Sequence, residues 1–505
     1  MTMRLKLRSM MALVAVAAMV CACGSDPEPA PAGGSDSGST TGDSTAPTDS
    51  GAAGADTGHS VDGTASGNDA GGAVDAGSAD AGNGCAGGCD DKNPCTNDQC
   101  LAGKCVNVPN TESCDDGLAC SDDDTCTLGK CEGQSNLWTK TFGGADEDIG
   151  RAAVGLADGS LVVAGLTKSK GAGLRDAWLL RIDKYGKVTW EKTFGTDTDQ
   201  SAHDVRRADN YVVVGGTWRD TGDKRNKGWV QKVDLNGKPL ASHLFKLDEM
   251  TEVHGVALAG AAKKPSLRLH VAGYAENAKG DIAMAVAMLD NTTMQPLWTK
   301  TYGKTGFDAA WDIGQLYNGD LVVVGDTAPG GGGPHVWLLG LDATGKTLWE
   351  RTYHGNGEDT GWAVMSHPDP VAQNKGYTVA GSRKAPGKKY SAAWFMHADD
   401  KGFSKWQVTH ESPGGAAAYD IVKFDSGYAV AGRSAAKASD GRATAWRLDK
   451  AGKKLWSVSA GTTGGAGRAV VAWTGAMAVV GQSASGKKSD LIVMRLSKAG
   501  KTVCQ

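Results

Sequence analysis

The chain has 505 residues, of which 22% are charged, and its formal net charge is -4 at pH 7. A chain of this length forms several domains, or one large repeat domain with smaller attachments. Residues 24–84 contain ten acidic side chains and no Lys or Arg. Nucleic acid binds through clustered positive charge, so we expect no nucleic-acid partner.

The first 23 residues are organised as an export signal. Three basic residues precede an apolar run at residues 10–20 that is too short to span a bilayer as a helix. The run ends in Val20-Cys21-Ala22-Cys23, which resembles the lipobox of bacterial lipoproteins. That resemblance implies a lipid on Cys23 and a place in the bacterial cell envelope, at the outer membrane or the cell surface. The alternative is a cleaved signal peptide without a lipid.

Residues 24–84 consist mostly of Gly, Ser, Ala, Asp, Thr and Pro and contain no aromatic residue. Such a segment cannot bury enough apolar surface to offset the loss of chain entropy on folding. We predict a disordered linker that holds the rest of the protein away from the membrane.

Residues 85–132 contain two cysteine repeats, CDDKNPCTNDQCLAGKC and CDDGLACSDDDTCTLGKC. In an exported chain, this density predicts a small disulfide-rich module, with zinc as the alternative. The repeats resemble the CTDC-type repeats of extracellular matrix and bacterial surface proteins, which implies a structural module. The cysteines expected to form disulfides are Cys85, Cys89, Cys95, Cys100, Cys105, Cys114, Cys120, Cys126, Cys131 and Cys504.

Cys504 stands apart from the other cysteines, close to the end of the chain. Counting the ten cysteines that remain after lipidation of Cys23, we expect Cys504 to pair with the cysteine-rich segment, most simply with Cys85. The alternative is that Cys504 is a free thiol or pairs with another chain.

Two phrases alternate through residues 137–505. One joins an Asp, a Gly-Lys turn and a Trp, as in IDKYGKVTW, LDATGKTLW and LDKAGKKLW at residues 182–190, 341–349 and 448–456. The other is a short apolar run ending in Gly, such as VVAG at residues 162–165 and VVVG at residues 322–325. The second phrase occurs seven times at steps of roughly fifty residues, a period typical of propeller blades. These short β-branched runs predict buried strands.

The two ends of this region complement each other. WTKTF at residues 138–142 is a Trp strand without a preceding turn, and MRLSKAGKTV at residues 494–503 is a turn without a Trp strand. A ring in which the first strand completes the last blade explains both ends and removes exposed sheet edges. We therefore predict an all-β, seven-bladed β-propeller over residues 137–505. Its strand-marking tryptophans are Trp138, Trp190, Trp298, Trp349, Trp406 and Trp456.

The Asp-turn-Trp phrase resembles the tryptophan-docking motif of quinoprotein-type propellers and of non-enzymatic propellers built on the same repeat. The resemblance implies that each Trp packs on the backbone of a neighbouring blade. The repeated aspartates Asp183, Asp234, Asp342 and Asp449 are expected to bond the turn backbone. No local motif for a quinone or metal site is present, so we expect no cofactor, no metal and no catalytic residues.

The expected function is that of a lipid-anchored envelope protein whose propeller binds or scaffolds a protein or glycan. The alternative is an exported propeller enzyme, carbohydrate-active or quinone-dependent. Clustered carboxylates or a metal at the central funnel would favour the enzyme. The positive balance of the propeller suggests an anionic partner such as a surface polysaccharide. The loops at residues 249–266 and 366–376 depart most from the repeat and are the expected partner site.

Overall fold

The structure is a computed structural model, which describes residues 85, 88–118, 121–259, 268–303, 306–316, 318–329, 333–354, 357–367, 376–473, 475–485 and 488–502. The predicted signal peptide, Cys23 and the predicted linker lie outside the described residues. The described residues divide into two compact units, one that holds residues 85, 88 and 100–105 and one that holds residues 89–99 and those from 106 onward. The secondary structure of the described residues is all β.

Two short antiparallel pairs precede the propeller. They are β1 (Thr96–Leu101) with β2 (Lys104–Pro109), and β3 (Ser121–Thr127) with β4 (Lys130–Ser135).

Seven four-stranded antiparallel blades follow in the described part of the chain, and a single parallel pairing of Ile282 with Phe307 joins blades 3 and 4 into one eight-stranded sheet. Blade 1 is β6 (Asp148–Gly155), β7 (Leu161–Thr167), β8 (Asp176–Ile182) and β9 (Val188–Phe194). Blade 2 is β10 (Gln200–Arg207), β11 (Tyr211–Trp218), β12 (Lys227–Asp234) and β13 (Pro239–Leu244). Blade 3 is β14 (Glu252–Ala259), β15 (Arg268–Glu276), β16 (Ile282–Leu289) and β17 (Pro296–Tyr302). Blade 4 is β18 (Gly306–Gln315), β19 (Leu321–Pro329), β20 (His335–Leu341) and β21 (Thr347–Tyr353).

The remaining three blades repeat this pattern. Blade 5 is β22 (Glu358–His367), β23 (Gly376–Lys384), β24 (Ala392–Ala398) and β25 (Ser404–His410). Blade 6 is β26 (Ala416–Phe424), β27 (Gly427–Ser434), β28 (Arg442–Leu448) and β29 (Lys454–Ala460). Blade 7 is β30 (Ala466–Trp473), β31 (Ala476–Ser485), β32 (Lys488–Ser497) and β5 (Trp138–Phe142).

Blade 7 confirms the predicted closure of the ring. β5, the first strand of the propeller, pairs antiparallel with β32, and Arg495 lies opposite Trp138. The first strand of every blade contacts the first strands of both neighbours, and β30 contacts β6. The seven-bladed propeller predicted from the sequence is therefore the fold of this region.

The core is a series of apolar layers between successive blades. One such layer combines Leu161 and Trp178 of blade 1 with Val480, Leu491 and Val493 of blade 7, all at most 1% exposed. The apolar phrases of the sequence supply these layers, because the second and third strands of each blade are covered on both faces and have no polar alternation.

The repeated turn is held by its aspartate, as predicted. Asp342 Oδ1 accepts hydrogen bonds from the amides of Thr344 and Lys346, at 2.8 and 3.0 Å. Asp183, Asp234 and Asp449 make the same two bonds in their turns. Ser497 replaces the aspartate in blade 7, and its hydroxyl still accepts from the Lys501 amide at 3.1 Å.

The disulfides confirm the cysteine-rich module and correct one pairing. Cys85 is bonded to Cys100, so the expected Cys85–Cys504 bridge is wrong. The sequence distances could not exclude that bridge, because pairing depends on which cysteines the fold brings together. Cys120 and Cys504 themselves lie outside the described residues.

Two further disulfides lie within the second compact unit. Cys95 pairs with Cys126 and joins the two cysteine repeats, while Cys114 pairs with Cys131 inside the second repeat. Cys89 and Cys105 are also disulfide-bonded.

Candidate functional site

A β-bulge interrupts the first strand of every blade at the same place. In blade 4, Ala310 and Asp312 pair with consecutive residues of β19, so Trp311 is the extra residue. An extra residue in one strand re-aims its side chain out of the regular alternation. The residues at the seven equivalent positions, called here the axial ring, are Arg151, His203, His254, Trp311, Trp362, Tyr419 and Arg468.

The axial ring is a continuous chain of side-chain contacts. The rings of His203 and His254 stack with centroids 4.7 Å apart, and His254 meets Trp311 edge-on at 4.9 Å. Trp311 lies 5.3 Å from Trp362, which lies 5.8 Å from Tyr419. All seven members line one cavity of about 80 Å³. The first strands therefore point their bulged residues at a common axial space.

The ring has a cationic side and an aromatic side. Arg151 and Arg468 come from adjacent blades 1 and 7, and Arg468 also lies 4.9 Å over the ring of Tyr419. Burial, and then the charge of Arg468, lower the pKa of Arg151 to about 10, and burial lowers the pKa of Arg468 as well. Arg468 donates to Gln482 Oε1 at 3.2 Å. Two desolvated guanidinium groups beside one cavity favour an anion there.

Three aspartates form a second layer of the same cavity. They follow the bulged residue in alternate blades, as Asp204, Asp312 and Asp420, while the other four blades have Ala or Gly. Asp312 accepts hydrogen bonds from the amides of Ile313 in its own strand, at 2.8 Å, and of Val364 in the next blade, at 3.0 Å. Asp204 and Asp420 repeat this pattern. Each of these three aspartates thus links the bulge of its own strand to the next blade.

Arg206 supplies the positive charge of this layer. Its guanidinium lies 2.9 Å from Asp204 and 3.4 Å from Asp312. Burial raises the pKa of Asp312 to about 7 and that of Asp420 to about 6, and it also raises the pKa of Asp204. Burial would lower the pKa of Arg206, but the three carboxylates raise it. The layer is therefore a network of three acids and one cation, Arg206, whose side chain is 37% exposed.

The glycine of the repeated apolar phrase makes room for each bulge. A Cβ on Gly325 would lie 1.9 Å from the carbonyl oxygen of Ala309, two residues before the ring member Trp311. The equivalent glycines of the other six blades face the equivalent carbonyl at 1.8–2.1 Å. The glycine that ends each repeated apolar phrase thus also leaves the space that the bulge of each ring member needs.

One group of possible metal ligands lies beside this cavity, which its two histidines line. His203, Glu252 and His254 place one ligand atom each within 4.8 Å of one another. His254 Nε2 lies 3.1 Å from Glu252 Oε2. Burial would raise the pKa of Glu252, but the bond to His254 and the nearby His203 lower it to about 2. Burial lowers the pKa of His203 well below its usual range.

The predicted tryptophans lie on the outer strands, away from the ring. The indole Nε1 of Trp349 donates to Asp400 O in the next blade at 3.0 Å, and Trp138, Trp190 and Trp456 make the equivalent bond. Trp298 and Trp406 pack against the turn glycines Gly345 and Gly452 of the following blades. These residues join neighbouring blades.

Sequence reasoning missed every member of the axial ring. The available signal is a large side chain between two small or acidic residues near the start of six of the seven repeats, as in Ala310-Trp311-Asp312 and Gly361-Trp362-Ala363. The expected partner loops are described only in part, because residues 260–267 and 368–375 lie outside the described residues.

Comparisons with known proteins give similarity of fold without a family. No family model matches the chain, and no curated protein matches it. Chaetomium thermophilum Sqt1 is 11% identical over 72% of this chain and 98% of its own, with a TM-score of 0.42. The quinohemoprotein alcohol dehydrogenase from Comamonas testosteroni is 12% identical over 72% of this chain and 76% of its own, with a TM-score of 0.35.

The axial cavity does not fit a quinone cofactor. Pockets that enclose a molecule of that size measure roughly 300–1,000 Å³, whereas the axial cavity measures about 80 Å³. It has room for an end group of a ligand.

Among the described residues, no helix has the length and apolar character needed to cross a bilayer.

Proposed function

We propose that the protein is a lipid-anchored envelope protein whose propeller binds an acidic glycan through the axial ring. The observation that carries this proposal is the pair Arg151 and Arg468 beside Trp311, Trp362 and Tyr419 around one cavity. A guanidinium holds a carboxylate with charge-assisted hydrogen bonds, and an aromatic face packs against a sugar ring. An acidic sugar presents both groups at once.

The size of the cavity suits the end of a glycan chain. A volume of about 80 Å³ admits a carboxylate and part of its sugar, while the rest of the chain stays outside. The lipid anchor rests on the sequence motif at Cys23, and a linker of 61 residues would let the propeller reach a surface polymer. Metabolic labelling with a fatty acid, compared between the native chain and Cys23→Ala, tests the anchor separately.

Isothermal titration of the full chain with oligogalacturonate tests the glycan site, with neutral galacto-oligosaccharides as the matched ligand. Arg151→Gln and Arg468→Gln each remove one charge-assisted bond, so affinity should fall about 10- to 100-fold. Lys187→Gln is the control, because Lys187 belongs to a repeat turn and does not line the cavity. Equal binding of both glycans, or a loss only with Lys187→Gln, would contradict an axial site.

A carbohydrate-active enzyme is a second candidate function, because the axial cavity is lined by clustered carboxylates of the kind that would favour an enzyme. Burial raises the pKa of Asp312 to about 7 and that of Asp420 to about 6, toward the range that suits acid and base catalysis near neutral pH. Each of the three aspartates also accepts hydrogen bonds from two backbone amides, which supports a structural role. Release of reducing ends from oligogalacturonate, abolished by Asp312→Asn, would establish the enzyme.

A further inference from the structure

We propose that His203, Glu252 and His254 form a binding site for a divalent transition metal of the zinc class beside the axial cavity, which the two histidines line. Two imidazoles and a carboxylate are a common ligand set for such ions, and they leave a coordination position open. The three side chains come from two neighbouring blades, since His203 lies on β10 and the other two lie on β14.

The distances need only a small adjustment. A metal held at about 2.1 Å by nitrogen and oxygen ligands places neighbouring ligand atoms roughly 3–3.5 Å apart. His254 Nε2 and Glu252 Oε2 already lie 3.1 Å apart. The largest separation among the three ligand atoms is within 4.8 Å, so a rotation of one imidazole closes the site.

The hydrogen bonds of His203 leave the required nitrogen available. Its Nδ1 lies 3.1 Å from Val253 O, and a carbonyl only accepts, so Nδ1 carries the proton and Nε2 offers its lone pair. Nε2 lies 2.6 Å from Ser201 Oγ. A bound metal would displace this hydroxyl, which has Thr217 Oγ1 as another partner at 3.1 Å. Metal-bound histidines are commonly oriented through their second nitrogen in this way.

Glu252 is supported by a similar outer shell. Asn226 Nδ2 donates to Glu252 Oε1 at 2.9 Å, and the Tyr274 hydroxyl also bonds this carboxylate. These partners fix the carboxylate with Oε2 directed at His254. The His254 and Glu252 side chains remain 15% and 17% exposed, while the His254 Nε2 atom itself is buried. The outer shell therefore orients the carboxylate, and an ion has to enter past the partly exposed parts of these two side chains.

Arg151 gives the main competing explanation for these residues. It lies within electrostatic range of both Glu252 and His203, so Glu252 could serve only as its counter-ion. Metal binding and glycan binding respond in opposite directions to the loss of the Arg151 charge. Removing the charge of Arg151 should tighten a metal site by reducing repulsion, whereas the same change weakens glycan binding.

The test is isothermal titration of the oxidised full chain with Zn²⁺ alone, after alkylation of any free thiols. We expect one ion per chain, a loss of at least 100-fold with His254→Ala, and a loss of 10- to 100-fold with Glu252→Gln and with Asn226→Ala. Arg151→Gln should bind several-fold tighter. Circular dichroism checks that each variant is folded, and Glu252→Gln and Asn226→Ala carry the test if His254→Ala is not.

His354→Ala is the matched control, because His354 forms a second pair of imidazoles with His335, 5.2 Å apart, outside the three-ligand group. Its affinity for Zn²⁺ should equal that of the native chain. No binding to the native chain, binding unchanged by Glu252→Gln and His254→Ala, or a loss with His354→Ala would each overturn the site. The titration contains no glycan, so its failure leaves the proposed glycan binding untouched.

Discussion

The close approach at Gly325 makes the axial ring sensitive to a single methyl group. In Gly325→Ala the new Cβ would lie 1.9 Å from Ala309 O, and such contacts are essentially never below 3.0 Å. β18 and β19 must then separate by about 1 Å next to the bulge at Trp311. Two ladder hydrogen bonds would weaken, each worth about 1 kcal/mol, and the buried groups left poorly paired add about 1–3 kcal/mol. We expect a loss of about 3–5 kcal/mol.

Gly387→Ala is the control for replacing a glycine by alanine where the added methyl group meets no neighbour. Gly387 has a φ of 73°, and an added Cβ would meet nothing within 4 Å. Its expected loss is therefore only the left-handed strain, roughly 1–2 kcal/mol. Urea unfolding followed by tryptophan fluorescence gives both values, and glycan titration reports whether the ring moves. The reasoning is refuted if the two variants lose equal stability, or if Gly325→Ala binds the glycan as tightly as the native chain.

Three further predictions test other parts of the fold. Trp349→Phe removes the hydrogen bond to Asp400 O and should lower the free energy of unfolding, measured in urea, by about 1–2 kcal/mol. Trp456→Phe should lose less stability, because its hydrogen bond is solvent-exposed. Equal losses in the two variants would contradict this. Burial lowers the pKa of His270 from 6.5 to about 4, so the unfolded chain binds more protons between these values and stability falls as pH drops through them. This loss reaches about 3 kcal/mol, and His270→Phe should remove it in urea titrations at pH 7 and 4.5; an unchanged pH dependence would show that His270 is not its source. The double variant Cys95→Ala, Cys126→Ala loses a disulfide that closes a separation of 31 residues. This should destabilise the cysteine module by about 3–4 kcal/mol and speed tryptic cleavage at Lys130. Unaltered cleavage would contradict this prediction.

The sequence by itself determined the architecture of the propeller. Each apolar phrase and each Asp-turn-Trp phrase reports a local requirement, a buried strand or a tight turn, and local requirements repeat wherever the blade repeats. The unmatched fragments at residues 138–142 and 494–503 determined how the ring closes, because an isolated strand and an isolated turn complete one sheet. The bonds made by Asp342 and its equivalents follow from the same local geometry.

Only the tertiary structure decided where chemistry can occur. Arg151 and Arg468 are more than 300 residues apart in the sequence and become neighbours only when blade 7 closes against blade 1. The ring combines two arginines, two histidines, two tryptophans and one tyrosine, so no single residue type marks its positions, and a β-bulge has no strong sequence signature of its own. The pairing of Cys85 with Cys100 shows the same limit. Local sequence patterns specify strands and turns, whereas a site built from one residue per blade exists only after all the blades have closed into a ring.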